Sequence, residues 1–191
     1  MVYLFLAEGF EIIEALAPVD MLKRAKIDVK TVGVTGKTVK SSANICVTAD
    51  ITVDEIDLDE NLEAVILPGG MPGTLNLENS QKVQEAIDFA TVNEPLICAI
   101  CAAPSILGHK DLLMDKYATA FPGFEKDLTG AKASDEYVVT DGNIITAKGA
   151  GVSIDFGLEI VRYLRGDNVQ EEIRKTIQCK WKTNWEKIIK K

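Results

Sequence analysis

Short apolar segments alternate with longer amphipathic segments along the chain. The apolar segments are too short for good helices, and charged residues, glycine or proline bound each of them. They predict strands at Val2–Leu6, Val29–Val34, Ala64–Leu67, Leu96–Ile100 and Tyr117–Ala120. This alternation is typical of a parallel sheet with helices on both faces, so we expect an α/β fold.

The amphipathic segments predict helices from about Glu11 to Ala25, Gln81 to Val92, Ala103 to Gly108 and Ser153 to Leu164. The last of them carries one apolar stripe at helical spacing and ends before Gly166, which favours a helix stop. The stripe consists of Ile154, Leu158, Val161 and Leu164.

Smaller elements follow from turn residues and charge. Asp141-Gly142 lies between the apolar runs Tyr137–Val139 and Ile144–Ala147, which predicts a β-hairpin. Residues 37–51 indicate a second β excursion, and residues 54–63 form an acidic connection. We therefore expect one domain at residues 1–166, followed by a helical extension at residues 167–191.

The extension is polar and carries Trp181 and Trp185 four residues apart, on one face of a predicted helix. We expect this face to pack on the same domain or on a partner subunit. Its five lysines (Lys180, Lys182, Lys187, Lys190 and Lys191) fit a solvated helical face better than a partner site.

Composition excludes several classes of function. The 191 residues suit one compact domain, and the net charge of −8 argues against nucleic-acid binding. No apolar run approaches the ~20 residues that span a bilayer. The apolar segment 1–6 lacks a basic leader and is followed at once by Glu8, so it predicts a buried strand and not a signal peptide.

The cysteines indicate a cytoplasmic protein with reduced thiols. Cys46, Cys98, Cys101 and Cys179 are scattered, without the paired spacing of a disulfide framework or a zinc site. His109 is the only histidine in the sequence. We therefore expect neither a metal nor another cofactor.

Cys101 is the strongest candidate for chemistry. Ligand crevices in open α/β sheets lie beyond the carboxyl ends of the strands, and Cys101 follows the predicted strand Leu96–Ile100 directly. A cysteine on a tight strand-to-helix turn resembles a nucleophile elbow. Unpaired amides and the helix dipole are expected to favour its thiolate. Cys98 lies within the strand and is expected to be a buried apolar residue, while Cys46 and Cys179 are expected to be structural or incidental.

Glu14 is the second candidate. It lies in an apolar helical segment one turn before Pro18, which cannot donate to its carbonyl. A carboxyl group in such surroundings has a raised pKa and could donate a hydrogen bond to a thiolate. A half-exposed helix charge explains Glu14 equally well from spacing alone. Glu11 fits a first-turn charge that the helix dipole favours.

Gly69-Gly70 follows the predicted strand Ala64–Leu67, so its amides could face the crevice and stabilise an oxyanion. A plain turn is the alternative. No G-x-G-x-x-G motif opens the next helix, which argues against a dinucleotide site. His109 lies eight residues beyond Cys101, about 12 Å along a helix, and is expected at the surface or at a helix end.

Together these segments resemble the ThiJ/PfpI superfamily. The matching stretches are residues 8–14 (EGFEIIE) with 18–20 (PVD), 67–70 (LPGG), 99–104 (AICAAP), 141–146 (DGNIIT) and 149–151 (GAG). Each motif alone is modest, but their order and spacing are specific. The resemblance runs from the first strand to about Gly166 and does not include the tail.

The resemblance implies a flavodoxin-like three-layer sandwich with a mostly parallel sheet. It implies that Cys101 is the reactive cysteine, that Glu14 is the protonated glutamate beside it, and that Gly70 and Ala102 supply oxyanion-type amides. The substrate pocket is expected to be lined by Gly69, Ala103, Phe121 and Pro122. Members are usually homodimers, and their cysteine oxidises readily, so the expected partners are a small carbonyl compound or oxidant and a second copy of the chain.

Two departures narrow the expected function. The peptidases of the superfamily carry histidine directly after the nucleophile, where this chain has Ala102, which argues against proteolysis. The deglycases carry a histidine in a segment resembling residues 118–122, where this chain has Phe121. The chain is most similar to the YajL-type branch. We expect a cysteine-dependent glyoxalase or protein deglycase acting on α-oxoaldehydes or their adducts; a non-enzymatic redox sensor or chaperone is the alternative.

Overall fold

The computed structural model describes residues 1–179, which form one layered α/β structure. Its strands are β1 (Val2–Leu6), β2 (Val29–Gly33), β3 (Thr38–Lys40), β4 (Cys46–Thr48), β5 (Ile51–Thr52), β6 (Ala64–Leu67), β7 (Leu96–Ile100), β8 (Tyr117–Ala118), β9 (Lys132–Ala133), β10 (Val138–Asp141) and β11 (Ile144–Ala147). Its helices are α1 (Ile12–Arg24), α2 (Gly73–Glu78), α3 (Gln81–Asn93), α4 (Pro104–His109), α5 (Ser153–Arg165) and α6 (Asp167–Thr176).

Seven strands form the central sheet in the order β10-β11-β7-β6-β1-β2-β5. All neighbouring pairs are parallel except β10 with β11, which form the predicted hairpin around Gly142-Asn143. The predicted β excursion is the separate antiparallel pair β3–β4. The mostly parallel α/β fold predicted from the sequence is confirmed.

The sheet is buried on both faces because the side chains of its central strands alternate between two cores. In β1, Val2, Leu4 and Leu6 face the core under α1, α5 and α6, whereas Tyr3 and Phe5 face the core under α2, α3 and α4. Burial on both faces explains why the strands are apolar runs without alternation. The helices therefore form the two outer layers of a three-layer sandwich.

Helices α1 and α5 pack closely on one face. A Cβ on Gly157 of α5 would lie 2.8 Å from the Cα of Pro18 in α1, so only glycine permits this approach. Helix α5 ends at Gly166, whose φ of 86° suits glycine, as the sequence predicted. Three members of its predicted stripe are buried or half-buried, but Ile154 is 43% exposed.

Two elements differ from the sequence prediction. The run Tyr117–Ala120 is not a strand of the central sheet: only Tyr117–Ala118 is a strand, and it pairs with β9. The amide of Thr119 donates to the Thr146 side chain instead of a sheet carbonyl, so the chain leaves strand geometry there. Helix α2 was not predicted from the sequence.

Residues 167–179 include α6, which packs on α5 and adds Ile173 to the core. The Trp181/Trp185 face and the lysine-rich segment lie outside the described residues, so the expected packing of that face stays a prediction. Within residues 1–179, no helix is both long enough and apolar enough to cross a membrane.

Candidate active site

Four neighbouring strands bring the candidate residues together at one edge of the sheet. The order β11-β7-β6-β1 places the turn after β6 between Cys101, which follows β7, and Glu14, which lies on α1 after β1. The turn after β11 lies on the other side of Cys101. Since these strands are parallel, their carboxyl ends meet, as the crevice rule predicts.

Cys101 occupies a tight turn and is partly exposed. Its φ is 67°, in the left-handed region that a residue with a side chain rarely adopts. Its amide donates to the Ala147 carbonyl at 2.9 Å, and its carbonyl accepts from the Phe121 amide at 2.8 Å. The amides of Gly70 and Ala102 donate to its sulfur. The backbone is thus held on both sides, with the thiol directed to the crevice.

Glu14 is 1% exposed and lies beside the thiol. Its Oε2 accepts from the Gly69 amide at 3.0 Å, the Ala150 amide also donates to it, and its carboxyl group hydrogen-bonds Cys101. Within residues 1–179, no lysine, arginine or histidine forms an ion pair with it. Burial therefore raises the pKa of Glu14 to about 7, with a smaller contribution from the nearby Glu11 charge. Glu14 is the buried, raised-pKa carboxyl group of the prediction and not the half-exposed helix charge.

The sequence predicted that amides and the helix dipole favour the thiolate form of Cys101. When Glu14 is ionised, this prediction is wrong. Burial, followed by the charge and hydrogen bond of Glu14, raises the pKa of the Cys101 thiol to about 12, against the opposing effect of the two amides. The dipole is weak here because α4 begins only at Pro104 and is six residues long. The two groups therefore hold one proton between about pH 7 and pH 12.

Gly69 allows the carboxyl group and the thiol to meet. A Cβ on this residue would lie 2.6 Å from the Cβ of Cys101 and 2.8 Å from Oε2 of Glu14. Gly70 has a φ of 94°, and a Cβ on it would lie 2.5 Å from the Glu11 amide nitrogen. The double glycine is therefore required by close packing at the site, and it is more than a plain turn.

The other predicted pocket residues divide into two groups. Phe121 adjoins the site through its hydrogen bond to Cys101 and is 47% exposed. Pro122 is exposed beside it. Ala103 is fully buried in the core under α2, α3 and α4, which corrects its assignment to the pocket. Its methyl group packs under the sheet instead of facing the crevice.

The other histidine, cysteine and glutamate residues that the sequence analysis considered lie outside the site. His109 ends α4, is exposed, and contacts Glu78 at 2.6 Å. Cys98 is fully buried in β7. Cys46 is exposed on β4, and Cys179 is half-buried near the Arg174 guanidinium. Glu11 precedes α1 as its N-terminal cap residue.

Gly149 and Ala150 belong to the site and were not identified as site residues from the sequence. Ala150 donates its amide to Glu14, and a Cβ on Gly149 would lie 3.9 Å from the Cys101 sulfur. The signal was available, because residues 149–151 form one of the stretches that resemble the superfamily. Nothing local to that glycine-rich turn indicates which neighbours it meets.

Comparison with known proteins gives consistent matches. The model of the DJ-1/PfpI family matches residues 1–163. The Parkinson disease protein 7 homolog of Danio rerio is 34% identical over 173 residues, which cover 88% of this chain and 92% of that protein. Protein DJ-1alpha of Drosophila melanogaster is 34% identical over 182 residues, covering 94% and 84%.

Solved structures agree with these sequence matches. Oxidized DJ-1 of Toxoplasma gondii superimposes with a TM-score of 0.89 at 27% identity, over 94% of this chain and 98% of that one. DJ-1beta of Drosophila melanogaster has the same TM-score and coverage at 30% identity. The fold and most of the chain length are shared with these proteins.

Proposed function

The chain belongs to the DJ-1/PfpI family, and from that premise we propose that it is a cysteine-dependent glyoxalase or protein deglycase acting on α-oxoaldehydes or their adducts. The observation that carries this proposal is the hydrogen-bonded pair of partly exposed Cys101 and buried Glu14, which holds one proton above about pH 7. The pair supplies a nucleophile and a proton carrier without a metal or an organic cofactor.

We place the shared proton on Glu14 in the reactive arrangement, which leaves Cys101 as the thiolate. The difference in exposure supports this choice. The sulfur and the carboxyl group each accept hydrogen bonds from two amides, but the sulfur is the more exposed of the two, so water solvates the charge better on sulfur. A protonated Glu14 also attracts the thiolate through a hydrogen bond, whereas an ionised Glu14 would repel it.

In the first step, the thiolate attacks the aldehyde carbon of methylglyoxal and forms a carbon–sulfur bond. The aldehyde oxygen takes the proton of Glu14, which gives a hemithioacetal and a carboxylate. The amides of Gly70 and Ala102 lie beside the sulfur and are suited to stabilise the oxyanion as it develops.

In the following steps, the Glu14 carboxylate removes the proton from the carbon bonded to sulfur and returns a proton to the neighbouring ketone carbon, while the hydroxyl proton of the first carbon passes to the ketone oxygen. This internal redox step oxidises the first carbon and reduces the second, so no external oxidant is required. Water then hydrolyses the resulting lactoyl thioester and releases lactate and the thiol. The overall reaction converts methylglyoxal and water into lactate and a proton.

Peptidase activity is the less favoured reading. Ala102 follows the nucleophile where the peptidases of the superfamily carry histidine, and the sole histidine, His109, ends α4 and contacts Glu78. Glu14 is thus left as the proton carrier beside the sulfur.

A redox sensor is the second candidate, and the amides around the sulfur favour it. Two molecules of hydrogen peroxide would convert the thiolate to a sulfinate with release of two water molecules. The Gly70 and Ala102 amides and a protonated Glu14 could then donate to the sulfinate oxygens. The related DJ-1 of Toxoplasma gondii has been solved in an oxidized form.

Lactate production from methylglyoxal, by the purified protein and by a Cys101→Ser variant, separates the two candidates. Turnover in the wild type and none in the variant is the expected result. No turnover, together with a gain of two oxygens at Cys101 under mild peroxide, would overturn the enzymatic proposal and favour the sensor.

A further inference from the structure

The space beside the Cys101 sulfur is open because residue 149 is glycine. A Cβ on Gly149 would lie 3.9 Å from the sulfur, 3.7 Å from Oε1 of Glu14 and 3.3 Å from Cδ2 of Phe121. One methyl group at this point would thus be in van der Waals contact with the nucleophile and the proton carrier and would press against the aromatic ring. We call the space bounded by these three side chains the Gly149 slot.

The ring wall of the Gly149 slot is fixed by its backbone. The Phe121 amide donates to the Cys101 carbonyl at 2.8 Å, and the Thr119 amide donates to the buried Thr146 hydroxyl at 3.0 Å. Since the segment is tied to β11 and to the nucleophile itself, the backbone that carries the ring is held in place. Phe121 is 47% exposed, so its ring lies at the boundary between the slot and solvent.

The glycine wall is fixed as well. The Lys148 amide donates to the Tyr137 carbonyl at 2.9 Å, and the Val152 amide donates to the Gly149 carbonyl at 3.0 Å. The Ala150 amide donates to Glu14. The backbone of both walls is therefore held by hydrogen bonds.

An electrophilic carbon has to approach to roughly 3–3.5 Å from the sulfur before a bond forms. A carbon that also reaches Glu14 lies in or next to the Gly149 slot, and the group attached to that carbon meets the Phe121 ring. We propose that Gly149 and Phe121 are specificity-determining residues that admit electrophiles with small substituents to Cys101 and exclude bulky ones. For carbonyl substrates this rests on the proposed function, and it selects short α-oxoaldehydes.

The proposal can be tested without turnover, by alkylation. Iodoacetamide and its N-(1-naphthyl) derivative share the same reacting carbon and leaving group: the thiolate displaces iodide and forms a carbon–sulfur bond. Peptide mass spectrometry gives both rates at Cys101 and, in the same molecule, at exposed Cys46. We expect the rate of alkylation by the bulky reagent, divided by the rate for the small reagent, to be at least about tenfold lower at Cys101 than at Cys46.

Variants separate the two walls. Phe121→Ala should raise the ratio at Cys101 to that of Cys46, whereas Gly149→Ala should slow both reagents by filling the slot. Gly151→Ala is the matched control, because Gly151 is exposed and a Cβ there would meet no atom within 4 Å. It should leave both rates unchanged.

Equal ratios at the two cysteines in the wild type, or a ratio that Phe121→Ala leaves unchanged, would overturn the proposal. The Phe121→Ala comparison decides the matter even if Gly149→Ala fails to fold. Size selection in alkylation without lactate production would leave this inference standing and remove the proposed function. Lactate production without size selection would leave the proposed function standing and remove this inference.

Discussion

Two buried glutamates lie on the helices that pack together on one face of the sheet, and they have opposite surroundings. Glu14 on α1 is 1% exposed and is held by the amides of Gly69 and Ala150 and by a thiol. Glu159 on α5 is fully buried and accepts from Arg162 at 2.6 and 2.8 Å and from the Thr140 hydroxyl.

The comparison teaches that the partner and not the burial decides what a buried carboxyl group does. Arg162 compensates the charge of Glu159, so that pair serves the packing of α5 on the sheet. Burial raises the pKa of Glu14 to about 7, because its donors are neutral and no cation offsets the cost of burying the charge. A group that exchanges a proton near neutral pH is suited to proton transfer.

The largest expected effect is the loss of lactate production when the carboxylate of Glu14 is removed, compared with removal of the carboxylate of Glu159. Glu14→Gln keeps the shape of the side chain but cannot carry a proton, so lactate production should fall by a factor of ~10² or more. Glu159→Gln, measured per folded molecule, should stay within about twofold of the wild type, because Glu159 bonds Thr140 and Arg162 and not the residues of the site. Equal losses in the two variants would contradict the division of roles.

The second prediction removes the cation from the structural pair. Arg162→Met leaves Glu159 buried without its compensating charge and should lower the free energy of unfolding by about 3 kcal/mol. Urea denaturation at neutral pH measures this loss. Adding Glu159→Gln to Arg162→Met should recover most of the stability, and a double variant as unstable as the single one would refute the explanation.

The third prediction concerns stability and pH at Glu14. Its pKa is about 7 in the folded protein and near 4.5 when unfolded, so the folded state binds the proton more tightly. Raising the pH through this window therefore removes stability, by at most about 3 kcal/mol, whereas below pH 4.5 the contribution is complete.

Glu14→Gln should lack this loss between pH 5 and pH 8, so its stability relative to the wild type should rise with pH. Urea denaturation of both proteins across that range measures the difference. A constant difference would show that the pair of Glu14 and Cys101 loses no proton in this window.

The elements of this comparison were predictable from the sequence to different degrees. Glu14, Cys101 and Gly69-Gly70 follow predicted strands, and strand ends of a parallel sheet converge by rule. The apolar runs identified the central strands because strands buried on both faces need no alternation. The short run at Tyr117 was misassigned because its continuation bonds a side chain, Thr146, which local pattern does not reveal.

The raised pKa of Glu14 was predicted from its apolar segment, but the raised pKa of Cys101 was not. The pKa of Cys101 depends on its burial and on Glu14, which is 87 positions away along the chain. Gly149 and Phe121 approach Cys101 from two further loops, and the partners of a loop are set by tertiary packing. Glu159 was overlooked because a charged residue on a helix is usually exposed.

The smallest expected effect tests the like charge near Glu14. Glu11, which accepts from the Ser42 hydroxyl at 3.1 Å, contributes to the raised pKa of Glu14. Glu11→Gln should therefore shift the midpoint of the pH-dependent stability to lower pH, by less than about one unit. Glu85→Gln on α3, on the other face of the sheet, is the control and should leave the midpoint in place. A shift to higher pH would contradict the assignment.

The most direct test of the central claim is the pH dependence of thiolate absorbance in the ultraviolet, taken as the wild type minus Cys101→Ser. If Glu14 retains the shared proton, the Cys101 thiolate should appear as the pH rises through about 7. In Glu14→Gln, the pH midpoint of the thiolate absorbance should differ from that of the wild type. If no thiolate forms in the wild type until the pH nears 12, the proton resides on sulfur across neutral pH and the proposed chemistry at Cys101 is wrong.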